Sequence, residues 1–274
     1  MPPATPKRMD PVHPPPPSSP STSPTPLALP LLSFSNVTKR YPDGGRERVV
    51  LKAVSFELAP GAAAGLYGAP GFGKSTLLRL AAAIESPEEG SIRFDGEDIT
   101  RRSATERARL LRGPIALLAD GGWMAGPGES VLDHVAMSIG AQGLTLREAR
   151  RRALQTLDAV GVSAAGAAES TASLSAQMRA RATLARALAH EPRLLLVDEP
   201  APMPSIEDHD RFCATLRRVT AERGIALLIA SENLAPGGVA AQMWMSADGE
   251  LSCSEEQGTV VELRPHRAAA SGPS

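Results

Sequence analysis

The chain has 274 residues, enough for one large domain or two small ones, and its hydrophobic content of 42% is sufficient for a sizeable core. Its 29 basic and 30 acidic residues give a formal net charge of −1, which argues against nonspecific nucleic-acid binding. Cys213 and Cys253 have no metal-ligand spacing, and no apolar run approaches the about 18 residues of a membrane span, so we expect a soluble cytoplasmic protein.

The first thirty residues differ in composition from the rest of the chain. They contain twelve of the 25 prolines and seven Ser or Thr residues. Because proline removes backbone donors and favours extended polyproline conformation, we predict a disordered tail at 1–30. The functional alternative is a ligand for a proline-recognising domain. We predict one domain at 31–253 and a mostly flexible tail at 254–274.

Strand and helix patterns alternate along the predicted domain. In its first part the predicted elements are strands at Leu32–Thr38, Val49–Leu58, Ala63–Tyr67 and Ser91–Phe94, and a helix at Ser75–Ile84. Further on they are strands at Ile115–Ala119, Leu194–Val197 and Ile225–Ala230, and helices at 146–160, Ser175–His190 and Ser205–Thr220. Continuous apolar strands are typical of a parallel sheet buried on both faces, and their alternation with helices indicates an α/β core.

A glycine-rich segment follows the strand Ala63–Tyr67. Its sequence, Gly68-Ala-Pro-Gly71-Phe-Gly73-Lys74-Ser75, fits the phosphate-loop pattern G-x-x-x-x-G-K-[ST]. The glycines allow the backbone to turn so that successive N–H groups point at phosphate oxygens, and the helix that follows adds its positive N-terminal end. The Lys74 ammonium can reach the β and γ phosphates of a nucleotide, and the Ser75 hydroxyl can ligate Mg²⁺.

A second motif, Leu194-Leu-Leu-Val-Asp198-Glu199, ends another predicted buried strand. A carboxylate at the carboxyl end of such a strand is well placed to hold Mg²⁺ through water, which is the role predicted for Asp198. Glu199 can orient or deprotonate an attacking water and is the candidate catalytic residue. An apolar run followed by two acidic residues is often only a strand end, so the prediction depends on the accompanying phosphate loop.

The stretch from about Leu32 to Leu251 resembles the nucleotide-binding subunit of ATP-binding-cassette (ABC) transporters. The resemblance lies in four segments, VTKRYPDG (37–44), GAPGFGKST (68–76), RATLARALAHEP (181–192) and LLLVDEP (194–200). It implies a P-loop cassette with a mixed-sheet core, an antiparallel β subdomain and a helical subdomain at about 113–185. Two further segments, ATERARLLR (104–112) and LREARRRALQTLDAVGV (146–162), are similar to the lipoprotein-release and macrolide-export branch.

The resemblance also implies ligands for the site. Mg-ATP would bind with the loop residues Gly68, Gly71, Gly73, Lys74, Ser75 and Thr76. Tyr41 would stack on the adenine base, although an ordinary aromatic residue at a strand end is the alternative. Partner domains of this family meet head to tail, so Ser175, in the signature segment usually written LSGGQ, would contact the ATP of a second cassette.

The sequence departs from the family pattern at four places. The signature segment reads Leu174-Ser175-Ala176-Gln177-Met178, without either glycine. Asp120 stands where a metal-facing glutamine is expected, and Ala201–Ser205 replaces a segment that usually ends in Leu-Asp. Glu232 stands in place of a histidine, and a carboxylate there would repel a γ-phosphate. We therefore expect Mg-ATP binding with weakened hydrolysis.

Three functional hypotheses follow from the resemblance. In the first, the chain is an ATP-binding transporter subunit on the cytoplasmic face of the membrane, paired with a second cassette and with separate transmembrane permease subunits. In the second, it is a regulatory nucleotide-binding module with little or no ATPase activity. The third, a soluble family member that remodels nucleic acid or ribosomes, is disfavoured because those proteins usually carry two cassettes in one chain, so no nucleic-acid partner is expected.

Overall fold

The computed structural model describes residues 29–119, 129–199, 204–232, 239, 241–254 and 261–262. The predictions for Asp120 and for residues 201–203 lie outside this part of the chain, as do those for nearly all of the two tails. Among the described residues, no helix has the length and the apolar character needed to cross a membrane.

A five-stranded antiparallel sheet forms one layer of the fold. Its strands are β1 (Leu32–Asp43), β2 (Arg46–Leu58), β4 (Glu89–Phe94), β5 (Glu97–Asp98) and β11 (Val261–Glu262), in the order β11-β2-β1-β4-β5. β1 and β2 are longer than predicted, because they stay paired up to the turn at Gly44 and Gly45, where both glycines have positive φ. The pair carries Tyr41 opposite Arg48 near this turn.

A six-stranded mixed sheet forms the central layer. Its strands are β3 (Ala63–Tyr67), β6 (Ile115–Leu118), β7 (Leu194–Asp198), β8 (Ala226–Ser231), β9 (Ala241–Met245) and β10 (Leu251–Ser254), in the order β10-β9-β3-β8-β7-β6. All neighbours are parallel except β9 and β10. The predicted α/β fold with a mixed sheet is therefore confirmed, and β9 and β10 complete a sheet edge that the sequence patterns did not reveal.

Seven α-helices accompany the sheets in the described part of the chain. They are α1 (Lys74–Ala81), α2 (Ala104–Leu111), α3 (Val131–Ser138), α4 (Leu146–Ala159), α5 (Ala164–Ala168), α6 (Ala176–Ala189) and α7 (Ile206–Glu222). α1 ends at Ala81 rather than at the predicted Ile84, because Ala83 adopts a left-handed φ of 54° and turns the chain away.

The central sheet separates two hydrophobic cores. Alternate residues of β7 supply them: Leu194 and Leu196 pack with α1 and the antiparallel sheet, whereas Leu195 and Val197 pack with helices α3 to α7. The helices of the predicted helical subdomain thus share their core with the sheet. The boundary of the helical subdomain at about 113–185 stays a prediction, because the shared core does not mark where this subdomain begins and ends.

Candidate functional site

Three chain turns meet at the carboxyl edge of the central sheet. The parallel register pairs Tyr67 at the end of β3 with Ser231 at the end of β8, and pairs Asp198 at the end of β7 with Ala230. The phosphate-loop segment, the Asp198-Glu199 turn and the turn at Glu232 therefore begin side by side. This edge is where parallel α/β sheets bind their ligands.

The phosphate-loop segment needs glycine for steric reasons. Gly73 has a φ of +99°, and a Cβ atom there would lie 2.9 Å from the backbone oxygen of Val50 on β2. Gly68 has a φ of +153°, and a Cβ atom there would lie 2.8 Å from the carbonyl oxygen of Met245 on β9. The loop is thus clamped between the two sheets, and a side chain at either position would displace it.

The N-terminus of α1 differs from the other described helices. A Ser or Thr side chain caps each of α2 to α7, at positions Ser103, Ser130, Thr145, Ser163, Ser175 and Ser205. The cap residue of α1 is Gly73, no side chain bonds its first N–H groups, and no acidic residue lies in its first turn. These donors and the positive end of the helix fit an anionic phosphate group.

Lys74 places a buried cation inside the loop. Its side chain is only 6% exposed, and its Nζ donates hydrogen bonds to the carbonyl oxygens of Gly68 at 2.6 Å and Ala69 at 3.3 Å. The same Nζ lies 3.9 Å from Oε1 of Glu199. The ammonium is therefore already held at the position from which it can reach bound phosphates.

Ser75 and Asp198 meet although 123 positions separate them in the chain. The Ser75 hydroxyl donates a hydrogen bond of 2.8 Å to Oδ1 of Asp198. One hydroxyl and one carboxylate form the hard oxygen set that suits Mg²⁺, which keeps several waters and binds substrate phosphates in such sites. The residues present therefore fit this metal ion, and phosphate oxygens and water would supply the remaining ligands.

Glu199 has a constrained backbone and a perturbed side chain. Its φ of 53° is left-handed, and its N–H donates to the Ala230 carbonyl oxygen on β8 at 3.2 Å. Burial raises the pKa of the Glu199 carboxyl, and the nearby carboxylates of Glu232 and Asp198 raise it further. The Lys74 ammonium and the Glu232 N–H, which donates to Glu199, oppose this shift. A carboxyl group with a raised pKa beside a phosphate loop suits general-base chemistry.

Tyr41 lies beside the loop helix and takes part in a local network that the sequence patterns did not reveal. Its hydroxyl donates a hydrogen bond to Oε2 of Glu85, whose Oε1 lies 2.9 Å from Nε of Arg79 on α1. Arg48, its partner across the strand pair, donates from Nη2 to the Gly71 carbonyl oxygen at 3.1 Å. Pattern reading missed Glu85 and Arg48 because neither belongs to a motif and both contacts depend on strand register.

Ser175 is the exposed N-cap residue of α6. It caps α6, accepting a hydrogen bond from the Met178 N–H at 3.1 Å, and among the described residues no hydrogen bond joins it to the loop at 68–73. The neighbouring Gln177 side chain donates to Oδ1 of Asp208 on α7 at 3.2 Å. The side chains of Ala176 and Gln177 thus occupy the two positions where the resemblance implies glycines.

The sheet order and the loop geometry define a P-loop nucleotide-binding cassette. A model of the ABC transporter family matches residues 51–202. Over 208 residues the chain is 31% identical to the lipoprotein-releasing system ATP-binding protein LolD 2 of Caulobacter vibrioides, covering 76% of this chain and 90% of that protein. The LolD protein of Geobacter metallireducens is 33% identical over 203 residues, covering 74% and 89%. The chain belongs to the ABC transporter family, as an ATP-binding subunit.

Solved structures agree on the fold. The dimeric ATP-binding cassette MJ0796, in a post-hydrolysis state bound to ADP and Pi, superposes with a TM-score of 0.74 at 24% identity, covering 83% of this chain and 99% of that one. CbiO1 from Clostridium perfringens, part of the transporter complex cbiONQ, has a TM-score of 0.72 at 24% identity, covering 81% and 87%. The predicted cassette fold is confirmed.

Proposed function

We propose that the chain binds Mg-ATP at an interface with a second cassette and couples this binding to separate transmembrane permease subunits, on the cytoplasmic face of the membrane. The observation that carries the proposal is the uncapped start of α1, with the buried Lys74 ammonium inside the loop that precedes it. Two of the relatives are ATP-binding proteins of lipoprotein-releasing systems, which supports a transport role.

Each candidate site residue has a role in this proposal. The loop N–H groups and Lys74 bind the phosphates, and Tyr41 stacks on the base. Ser75 and Asp198 hold Mg²⁺, which would neutralise phosphate charge. Glu199 accepts a proton from the water that attacks the γ-phosphate, and its Oε1 lies 3.9 Å from the Lys74 ammonium in the loop.

Coupling to a membrane partner is tested by fractionation. Expressed alone, the chain is expected to remain in the supernatant after cell lysis and ultracentrifugation. Expressed with a permease encoded beside it, the chain is expected to sediment with the membranes and to be released by detergent as a complex. Recovery in the supernatant under both conditions would contradict the transporter assignment.

We further propose that hydrolysis is weakened, and the regulatory module remains the second candidate function. Glu232 favours it, because this carboxylate lies near Glu199 and would repel a bound γ-phosphate. The side chains of Ala176 and Gln177 also project where glycine would permit close approach of a partner's phosphate. The purified chain is expected to bind ATP normally and to hydrolyse it slowly. Fast, cooperative turnover would contradict the proposal that hydrolysis is weakened.

Replacing Glu232 by histidine is expected to raise turnover about tenfold, the effect of about 1.4 kcal/mol in the barrier. The change removes a carboxylate that would repel the γ-phosphate and introduces a hydrogen-bond donor. Phosphate release from saturating Mg-ATP measures it. The matched control is Glu222→His, at an exposed carboxylate that pairs with Arg218, and equal effects of the two substitutions would contradict the prediction.

Restoring glycine at both altered signature positions, Ala176→Gly with Gln177→Gly, is expected to increase ATPase activity of the chain paired with itself. The double substitution removes two side chains from the helix start and breaks the hydrogen bond to Asp208. The control is Ala164→Gly with Ala165→Gly, at the same two positions of the Ser-capped helix α5. Both pairs are expected to lower stability by about 1–2 kcal/mol, but only the first should raise phosphate release.

A further inference from the structure

We infer that Glu85 is a positioning residue for adenine recognition, holding the Tyr41 ring at a fixed place relative to the phosphate loop. The inference rests on the proposed binding of ATP with its base on Tyr41. Glu85 lies in the turn after α1, 44 positions beyond Tyr41 in the chain. It belongs to none of the motifs that define the nucleotide site.

The two carboxylate oxygens of Glu85 bind different partners. Oε2 accepts the hydrogen bond from the Tyr41 hydroxyl, and Oε1 lies 2.9 Å from Nε of Arg79 on α1. The Glu85 side chain is 24% exposed, so its bonds are partly shielded from water. One carboxylate thus joins the tip of the aromatic ring to the helix that follows the phosphate loop.

A cation constrains the face of the same ring. The Lys39 ammonium lies 5.1 Å from the centroid of the Tyr41 ring, within the range of a cation–π interaction. It is held in place by the Ser86 carbonyl oxygen at 2.8 Å and by Oε1 of Glu88 at 3.0 Å. A ring held at its hydroxyl and at one face has few orientations left, so stacking a base on it costs less conformational entropy.

The network also relates the base position to the phosphate position. Glu85 accepts the Tyr41 hydroxyl bond at Oε2, and its Oε1 lies 2.9 Å from Nε of Arg79, a residue of α1. The ring therefore moves together with α1, whose N-terminus receives the phosphates in the proposed function. Loss of Glu85 should weaken the binding of ligands that carry a base and leave a ligand of phosphates alone unaffected.

The test compares Mg-ATP with Mg-tripolyphosphate, which has no base, by isothermal titration calorimetry on the full chain. Glu85→Ala and Tyr41→Phe are each expected to weaken ATP binding about fivefold and to leave tripolyphosphate binding unchanged. The double variant should bind ATP no more weakly than either single variant, because both changes remove the same hydrogen bond. Glu85→Gln, whose amide oxygen still accepts from the hydroxyl, should restore part of the affinity.

The control is Glu89→Ala, which removes a nearby carboxylate, at the start of β4, that pairs with Arg40 instead. Three results would each overturn the role of Glu85. They are additive effects of the two substitutions in the double variant, an equal loss of affinity for ATP and tripolyphosphate, and native ATP affinity in Tyr41→Phe. Tyr41→Phe keeps the ring, so this result decides the question even if Glu85→Ala does not fold. Tyr41→Ala separates the two proposals: unchanged ATP affinity there would contradict the stacking of the base itself.

Discussion

Replacing Lys74 by alanine is expected to weaken Mg-ATP binding at least about 100-fold, because hydrogen bonds to charged groups contribute about 1.5–3 kcal/mol each and the ammonium can reach two phosphates. The structure places this ammonium 2.6 Å from the Gly68 carbonyl oxygen, inside the loop. The other two lysines in the described part of the chain bind elsewhere, since Lys39 contacts Ser86 and Glu88 and Lys52 pairs with Glu250. Calorimetric titration with Mg-ATP measures the loss.

Two further variants separate binding from folding. Lys74→Met keeps most of the buried aliphatic stem without the charge. It should lose ATP affinity, and its melting temperature should stay close to that of the native chain. Lys52→Ala removes an exposed lysine that pairs with Glu250 at 2.8 Å, and it should bind ATP normally. Native affinity in Lys74→Met would contradict the assignment of the loop as the phosphate site.

Replacing Glu199 by glutamine is expected to lower turnover by about 10²- to 10⁴-fold, the usual contribution of a general base, with little change in ATP affinity. Glutamine has nearly the same shape, but its amide cannot accept the proton from the attacking water. Bound ATP should then accumulate unhydrolysed, which single-turnover experiments with labelled ATP would show. Glu222→Gln supplies the control, and unchanged turnover in Glu199→Gln would contradict the role of this residue.

The same carboxylate predicts a pH dependence. Burial, with Glu232 and Asp198, raises the pKa of Glu199, so its protonated form persists to higher pH than in an ordinary glutamic acid. Only the ionised form is a base, and turnover should therefore rise with pH through this raised pKa. In Glu232→His the rise should move to lower pH, because one of the neighbouring carboxylates is gone. A pH profile with no such rise in the native chain would argue against general-base catalysis by Glu199.

Much of the fold and of the candidate site could be predicted from contiguous segments. The phosphate-loop segment indicates its function within eight residues, because one turn of backbone supplies the N–H donors for phosphate. Buried strands such as Leu194–Asp198 are also local signals, since a strand covered on both faces is apolar throughout. By contrast, β9 and the edge strand β10 were missed because these two short strands carry little distinguishing pattern.

Contacts between distant segments depended on the tertiary structure. The parallel register of β3, β7 and β8 decides that Ser75 meets Asp198 and that Glu199 lies near Lys74. The link from Tyr41 to Glu85 and the bond from Gln177 to Asp208 join residues 44 and 31 positions apart. Local sequence propensities cannot predict these contacts, because the contacts form only when the two cores pack on opposite faces of the central sheet. Short sequence motifs thus determine which chemical groups form the nucleotide site, whereas tertiary packing determines how these groups are oriented.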